Sequence, residues 1–101
     1  KDMGEMNFAQ PIRALILNQN ESLMENYLKL ATDLRAQGIN VELYYSAAKL
    51  DKQFKYAESR SIPYAIIMGE TEVKAETVQL KDLAKREQET IFTAELAEKL
   101  K

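Results

Sequence analysis

Cysteine and histidine are both missing from the 101 residues. Without cysteine there are no disulfides, no thiolate nucleophile and no cysteine-bound metal. Without histidine the commonest general base and the commonest metal ligand are gone. Zinc would need an all-carboxylate site, which is unusual. An excess of positive charge is missing too: Lys plus Arg number 14 against 16 Asp plus Glu, a net charge of -2. That is not the balance of a protein that coats duplex DNA, although it leaves room for a small basic patch. No apolar run approaches membrane-spanning length and no signal peptide is visible, so a cytoplasmic protein without membrane or DNA partners is expected. The length suggests one domain with one core. Folding at this size buries roughly 60% or more of the unfolded chain's surface, enough without covalent staples. The opening "KDMGEMNFAQP" lacks an initiator Met and has no clear period. Residues 1–10 read as a linker or remnant, and 11–101 as the domain.

Glycine is scarce where a phosphate site would need it. In "IPYAIIMGETEV" an apolar run ends at Gly69, which could open a phosphate loop or begin a hairpin. A phosphate loop needs several converging backbone N–H groups at a helix N-terminus, usually with more than one glycine. Gly69 stands alone, and Glu70, Glu72 and Glu76 would repel a phosphate. The hairpin is the better reading, with "ETEVKAE" as a generous loop. A receiver-type signalling domain needs carboxylates at the strand ends to hold magnesium. Strand one ends instead in Asn18, Gln19 and Asn20, and strand three in Met68 and Gly69.

What is present is an alternation of strands and helices. Ile12 to Leu17 is almost continuously aliphatic, which suits a strand buried on both faces. Ser22 and Glu25 have capping-box spacing. Leu23, Tyr27, Leu30 and Leu34 then recur at helical spacing, and Gly38 supplies a left-handed stop. Ile39 to Tyr44 reads as a second strand. A helix follows from about Ala48 to Arg60, with Leu50, Phe54 and Ala57 inward, and it must stop before Pro63. Tyr64 to Met68 is a third strand. This order predicts a parallel sheet with crossover helices. Beyond Gly69, Val78 and Leu80 alternate with Thr77, Gln79 and Lys81, the period of a strand with one wet face, expected antiparallel to strand three. "QETIFT" is a candidate fifth strand, and "TAELAEKLK" a terminal helix capped by Thr93.

Two stretches are more specific. "KQFKYAESRSIPYAIIMGETEV" followed by "TVQLKDLAKREQ" resembles the C-terminal anticodon-binding domain of histidyl-tRNA synthetases, among the class IIa aminoacyl-tRNA synthetases. The matching residues are Lys52-Gln53-Phe54-Lys55-Tyr56-Ala57, Ile62-Pro63-Tyr64, Gly69-Glu70-x-Glu72, Val78-x-Leu80-Lys81-Asp82-Leu83 and Gln88. Threonyl, prolyl and glycyl domains share the fold but usually differ at the Lys-Asp-Leu…Gln segment. The family often has glycine where Glu76 stands, just before strand four, and in the region of Ser61. A positive φ at Glu76 is therefore not expected unless the loop has another shape. The resemblance implies an α/β fold, three-layer α/β/α, with a mixed sheet of about five strands (the first three parallel, the fourth antiparallel) and three helices.

The resemblance also implies a function and partners. The domain would grip the anticodon loop of tRNA(His), with a GUG anticodon. A separate catalytic domain would use ATP, with magnesium, to activate histidine. The chain carries no class II catalytic motif, so no catalytic residue, cofactor or metal site is expected in it. The parent would be a homodimer, and this domain alone a monomer. Recognition of single-stranded loops reads splayed bases on their Watson–Crick edges. Guanine offers N–H donors there, and a carboxylate accepts two of them. Glu70 and Glu72, at the mouth of strand three, are candidates for that role; solvated loop carboxylates are the alternative. Lys55 and Lys81 are candidates for phosphate contacts, Tyr56 for stacking on a base and Gln79 for a base edge. For these the alternatives are ordinary surface or, for Tyr56, partial core. A synthetase-like regulatory or protein-interaction module without tRNA specificity would share the fold, as would a generic α/β ligand-binding domain.

Overall fold

The computed structural model describes residues 12–44 and 48–100. The expected linker at 1–10 lies outside them. The described residues form five strands: β1 (Ala14–Ile16), β2 (Val41–Leu43), β3 (Tyr64–Ile67), β4 (Thr77–Asp82) and β5 (Glu87–Phe92). The helices are α1 (Met24–Ala36), α2 (Leu50–Ser59), α3 (Glu70–Ala75) and α4 (Thr93–Leu100). The sheet order is β2-β1-β3-β4-β5. β1 runs parallel to β2 and β3, while β4 is antiparallel to both β3 and β5.

The aliphatic run of β1 is explained by two cores. Ala14 and Ile16 pack on one face of the sheet with Tyr27, Leu30 and Leu34 of α1 and Leu96 and Leu100 of α4. Leu15 and Leu17 point the other way, into a smaller core with Ala57, Leu50 and Phe54 of α2. An α/β/α sandwich results, as expected. Period two in β4 has the same cause. Val78 and Leu80 are buried under the α1–α4 layer, and Thr77, Gln79 and Lys81 take the opposite face.

Three local expectations are corrected. Asn20, not Ser22, caps the first helical segment: its Oδ1 accepts from the Ser22 N–H at 3.0 Å and the Ser22 hydroxyl at 2.8 Å. A single 3-10 turn, Glu21–Leu23, then leads into α1. Secondly, the stretch after Gly69 is a six-residue helix, α3, rather than a loop, which makes four α-helices instead of three. Its one apolar anchor is Val73, so no apolar stripe announces it. Capping holds it instead. Glu72 Oε1 accepts from the Gly69 N–H at 2.8 Å, and Glu70 and Glu72 place negative charge at the positive end of the helix. Thirdly, Glu76 ends α3 at φ 58°, and Ser61 follows α2 at φ 57°. Both left-handed positions persist without glycine. The Glu76 carbonyl is fixed there by accepting from the Thr93 N–H at 2.8 Å.

Candidate nucleic-acid interface

Among the described residues α2 is the one helix that packs on the second face of the sheet, where it lies mainly over β1 and β3 and reaches Glu42 of β2 and Lys81 of β4 at its edges. The same face of β4 and β5 has no helix over it among the described residues. Register defines what stands there. Thr77 is opposite Phe92, Gln79 opposite Thr90 and Lys81 opposite Gln88. Side chains alternate along a strand, so all six share one side. Thr77, Gln79 and Lys81 are half-buried, and Gln88, Thr90 and Phe92 are exposed.

Two contacts order this face. The Gln88 side-chain amide donates to Gln79 Oε1. That leaves the Gln79 NH2 and the Gln88 carbonyl oxygen for a ligand, a donor and an acceptor side by side. The Lys81 ammonium lies 4.6 Å from the centre of the Phe54 ring, at the edge of α2. Its aliphatic stem is held on the sheet while its charge stays accessible.

The face ends where β3 meets α3. Gln79 is the cross-strand partner of Ile67, two residues before Gly69. Glu70 is exposed, while Glu72 is half-buried with one oxygen engaged by the Gly69 N–H. A Cβ added at Gly69 would come within 3.1 Å of Glu72 Oε1 and 3.4 Å of Gln19 Nε2, so glycine gives the cap its close approach. Behind this corner the Tyr27 hydroxyl donates to the Met68 carbonyl at 3.0 Å. Burial raises the Tyr27 pKa above its usual range, opposed by hydrogen bonds from the backbone of Gln19 and Asn20. The phenol is thus a neutral brace between the ends of β1 and β3.

Gln79 and Lys81 therefore share the open face, while Glu70 and Glu72 belong to α3, which follows the end of β3 and packs its Val73 against the core on the other side. Lys55 is exposed on the solvent side of α2. Tyr56 is elsewhere. Its hydroxyl donates to Glu42 of β2, its ring meets Tyr44 edge-on at 5.3 Å, and the Arg60 guanidinium lies 5.6 Å from its centre. The hydrogen bond to Glu42 raises its pKa first of all, with burial adding to it. A ring engaged on these sides is poorly placed to stack on a base beside Lys81, so Tyr56 stands outside the interface proposed below.

Gln53 was overlooked as a positioning residue. It is completely buried in α2. Its Oε1 accepts from the Asn18 N–H at 2.7 Å, and its Nε2 donates to the carbonyls of Asn18 and Ala48, both at 2.9 Å. The signal was available: a glutamine at the 53 position of an apolar 50-54-57 stripe is out of place unless its amide is satisfied. Gln88, Thr90 and Phe92 were missed because β5 buries only Ile91, leaving no alternation to mark its faces.

No group of three or more carboxylates among the described residues is placed to hold a metal ion. No helix among them is long and apolar enough to cross a membrane.

A mixed sheet sandwiched by helices, with one polar half-face left open, defines an α/β domain with a surface suited to an extended polar ligand. Comparison with known proteins gives the family. Residues 13–101 match the anticodon binding domain, and the chain belongs to that family. It is 38% identical over 93 residues to a histidine–tRNA ligase of Nostoc punctiforme, an alignment covering 92% of this chain and 20% of that protein. A histidine–tRNA ligase of Cytophaga hutchinsonii is 37% identical, with 97% and 23% covered. A threonine–tRNA ligase of Nautilia profundicola is 36% identical, with 93% and 15% covered. The crystal structure of histidyl-tRNA synthetase from Nostoc sp. PCC 7120 superposes with a TM-score of 0.86 at 36% identity, covering 89% of this chain and 22% of that one. The chain thus spans about a fifth of the length of the histidine–tRNA ligases it resembles. The resemblance to the anticodon-binding domain of histidyl-tRNA synthetases holds.

Proposed function

We propose that this domain recognises the anticodon loop of tRNA(His) on behalf of a histidine–tRNA ligase. The observation that carries the reading is the uncovered face of β4 and β5, where an amide pair and a lysine lie side by side within an anticodon-binding fold. Bases splayed from a loop would meet the Gln79 and Gln88 amides, and a phosphate would meet Lys81. Glu70 and Glu72, at the β3–α3 corner, would accept from a guanine edge arriving at that end of the strands. Lys55, exposed on α2, would add a peripheral phosphate contact. The chemistry of charging would belong to a catalytic domain of the parent, with ATP and magnesium bound there and the parent acting as a homodimer.

The similarity to a threonine–tRNA ligase supports a second reading, with a threonine anticodon as ligand. One titration separates the two. The chain is mixed with stem-loops carrying the GUG anticodon, a threonine anticodon and a scrambled loop. Tightest binding to GUG is expected, weakening with salt at a slope of only a few phosphate contacts. Preference for the threonine loop would reassign the domain. Equal affinity for all three would replace anticodon reading with a regulatory or protein-interaction role.

A further inference from the structure

We infer that Phe92 is a stacking platform for a base of the bound loop, an inference that rests on the anticodon-loop reading above. A lone exposed phenylalanine is ordinary on a protein surface. This one is set apart by where it stands. Its side chain is 58% exposed, more than any other large apolar side chain described as exposed, and neighbouring Ile91 is buried on the opposite face. Strand parity therefore puts the ring on the open face of the sheet, directly across from Thr77.

Three successive rungs of the β4–β5 ladder offer three kinds of contact. Phe92 with Thr77 gives an aromatic plane, Thr90 with Gln79 a hydrogen-bonding edge, and Gln88 with Lys81 an amide and a cation. Same-face rungs are spaced about 7 Å apart along a strand. That suits consecutive unstacked nucleotides lying along the strands. The aromatic rung is at the Glu70–Glu72 end and the cation at the other. The backbone beneath the ring is fixed on both sides, by the ladder at Thr77 and by the Thr93 N–H to Glu76 carbonyl bond at 2.8 Å. Stacking then has only the side-chain rotamer left to order. Every base has a π-face, so this contact adds affinity without choosing the base.

The test compares Phe92→Leu, Phe92→Tyr and Phe92→Trp in binding GUG and scrambled stem-loops, with 2-aminopurine placed in turn at each loop position. Phe92→Leu keeps an apolar side chain but loses the π-face. It is expected to weaken binding of both loops by the same factor, roughly 5- to 100-fold. It should also abolish the fluorescence quenching that the wild type causes at one loop position. Tyr and Trp should keep both affinity and quenching. Wild-type preference for GUG together with an indifferent Phe92→Leu overturns the Phe92 role and leaves the anticodon reading intact. Equal loss in all three variants also overturns it, because packing rather than stacking would then be at work. A wild type that binds GUG and scrambled loops alike, with quenching that depends on the ring, overturns the anticodon reading and keeps the platform. A wild type that binds no RNA overturns both.

Discussion

The Lys81 ammonium sits over the ring of Phe54, 4.6 Å from its centre. One residue belongs to β4 and the other to α2, so the contact ties the open face to the helix beside it. A cation held on an aromatic face at an accessible site is worth about 0.5–1 kcal/mol. Lys81→Ala should weaken binding of the GUG stem-loop by roughly 1 kcal/mol and lower the salt slope by about one, while costing no more than about 0.5–1 kcal/mol of folding stability, the value of the lost ring contact. Phe54→Leu should weaken it less. A double-mutant cycle in RNA binding should give a coupling of about 0.5 kcal/mol or more. Zero coupling would mean that the ring does not position the charge.

Gln53 and the Asn18 peptide form a second such pair, this one buried. The side-chain amide treats that peptide as a neighbouring strand would and reaches the Ala48 carbonyl too. Gln53→Met fills similar volume but makes none of the three bonds. Each buried group deprived of its partner costs about 1–3 kcal/mol, so denaturant unfolding should show a loss of about 2–4 kcal/mol. A loss below about 1 kcal/mol would mean that water replaces the amide.

Glu76 and Ser61 occupy left-handed backbone that glycine adopts without steric cost. Glu76→Gly and Ser61→Gly should each raise stability by about 0.5–1 kcal/mol, whereas Glu76→Ala should bring no gain. Chemical denaturation of the three variants checks this. Destabilisation by both glycines would show that the turns relax in solution to ordinary φ.

Much of the fold was legible because burial writes itself into periodicity. The aliphatic run of β1, the Leu23-Tyr27-Leu30-Leu34 stripe and the alternation from Thr77 to Lys81 each record which side meets a core. α3 left no such record. It has one apolar anchor, and its stability comes from a cap at Gly69 and a left-handed stop at Glu76, neither of which follows from composition. The candidate site was legible in part for the same reason. Lys81 and Gln79 could be placed on a wet face, but not beside Phe54 and Gln88, which come from distant segments. Tyr56 shows the opposite failure. Its helix position is at the border of core and solvent, and only Glu42, Tyr44 and Arg60, brought in by folding, decide where the ring goes.

Glu70 and Glu72 make a sharper prediction now that α3 is visible. Glu72 has one oxygen committed to the Gly69 N–H, and Glu70 is exposed. If both help to read guanine, Glu70→Gln and Glu72→Gln should each reduce the preference for G over A at the first or third anticodon position. Glu72→Gln should also lower the melting temperature, because its cap weakens. Uniformly tighter binding with unchanged base preference would show only a repulsive charge removed.

An interface on β4 and β5 requires the RNA to sit on their open face. Backbone amide resonances of the isotopically labelled chain, followed as the GUG stem-loop is added, locate it directly. The largest shifts should fall on Glu70 to Glu72, Thr77 to Lys81 and Gln88 to Phe92, with the outward residues of α1 and α4 unmoved. Shifts centred on α1 and α4, with β4 and β5 silent, would contradict it.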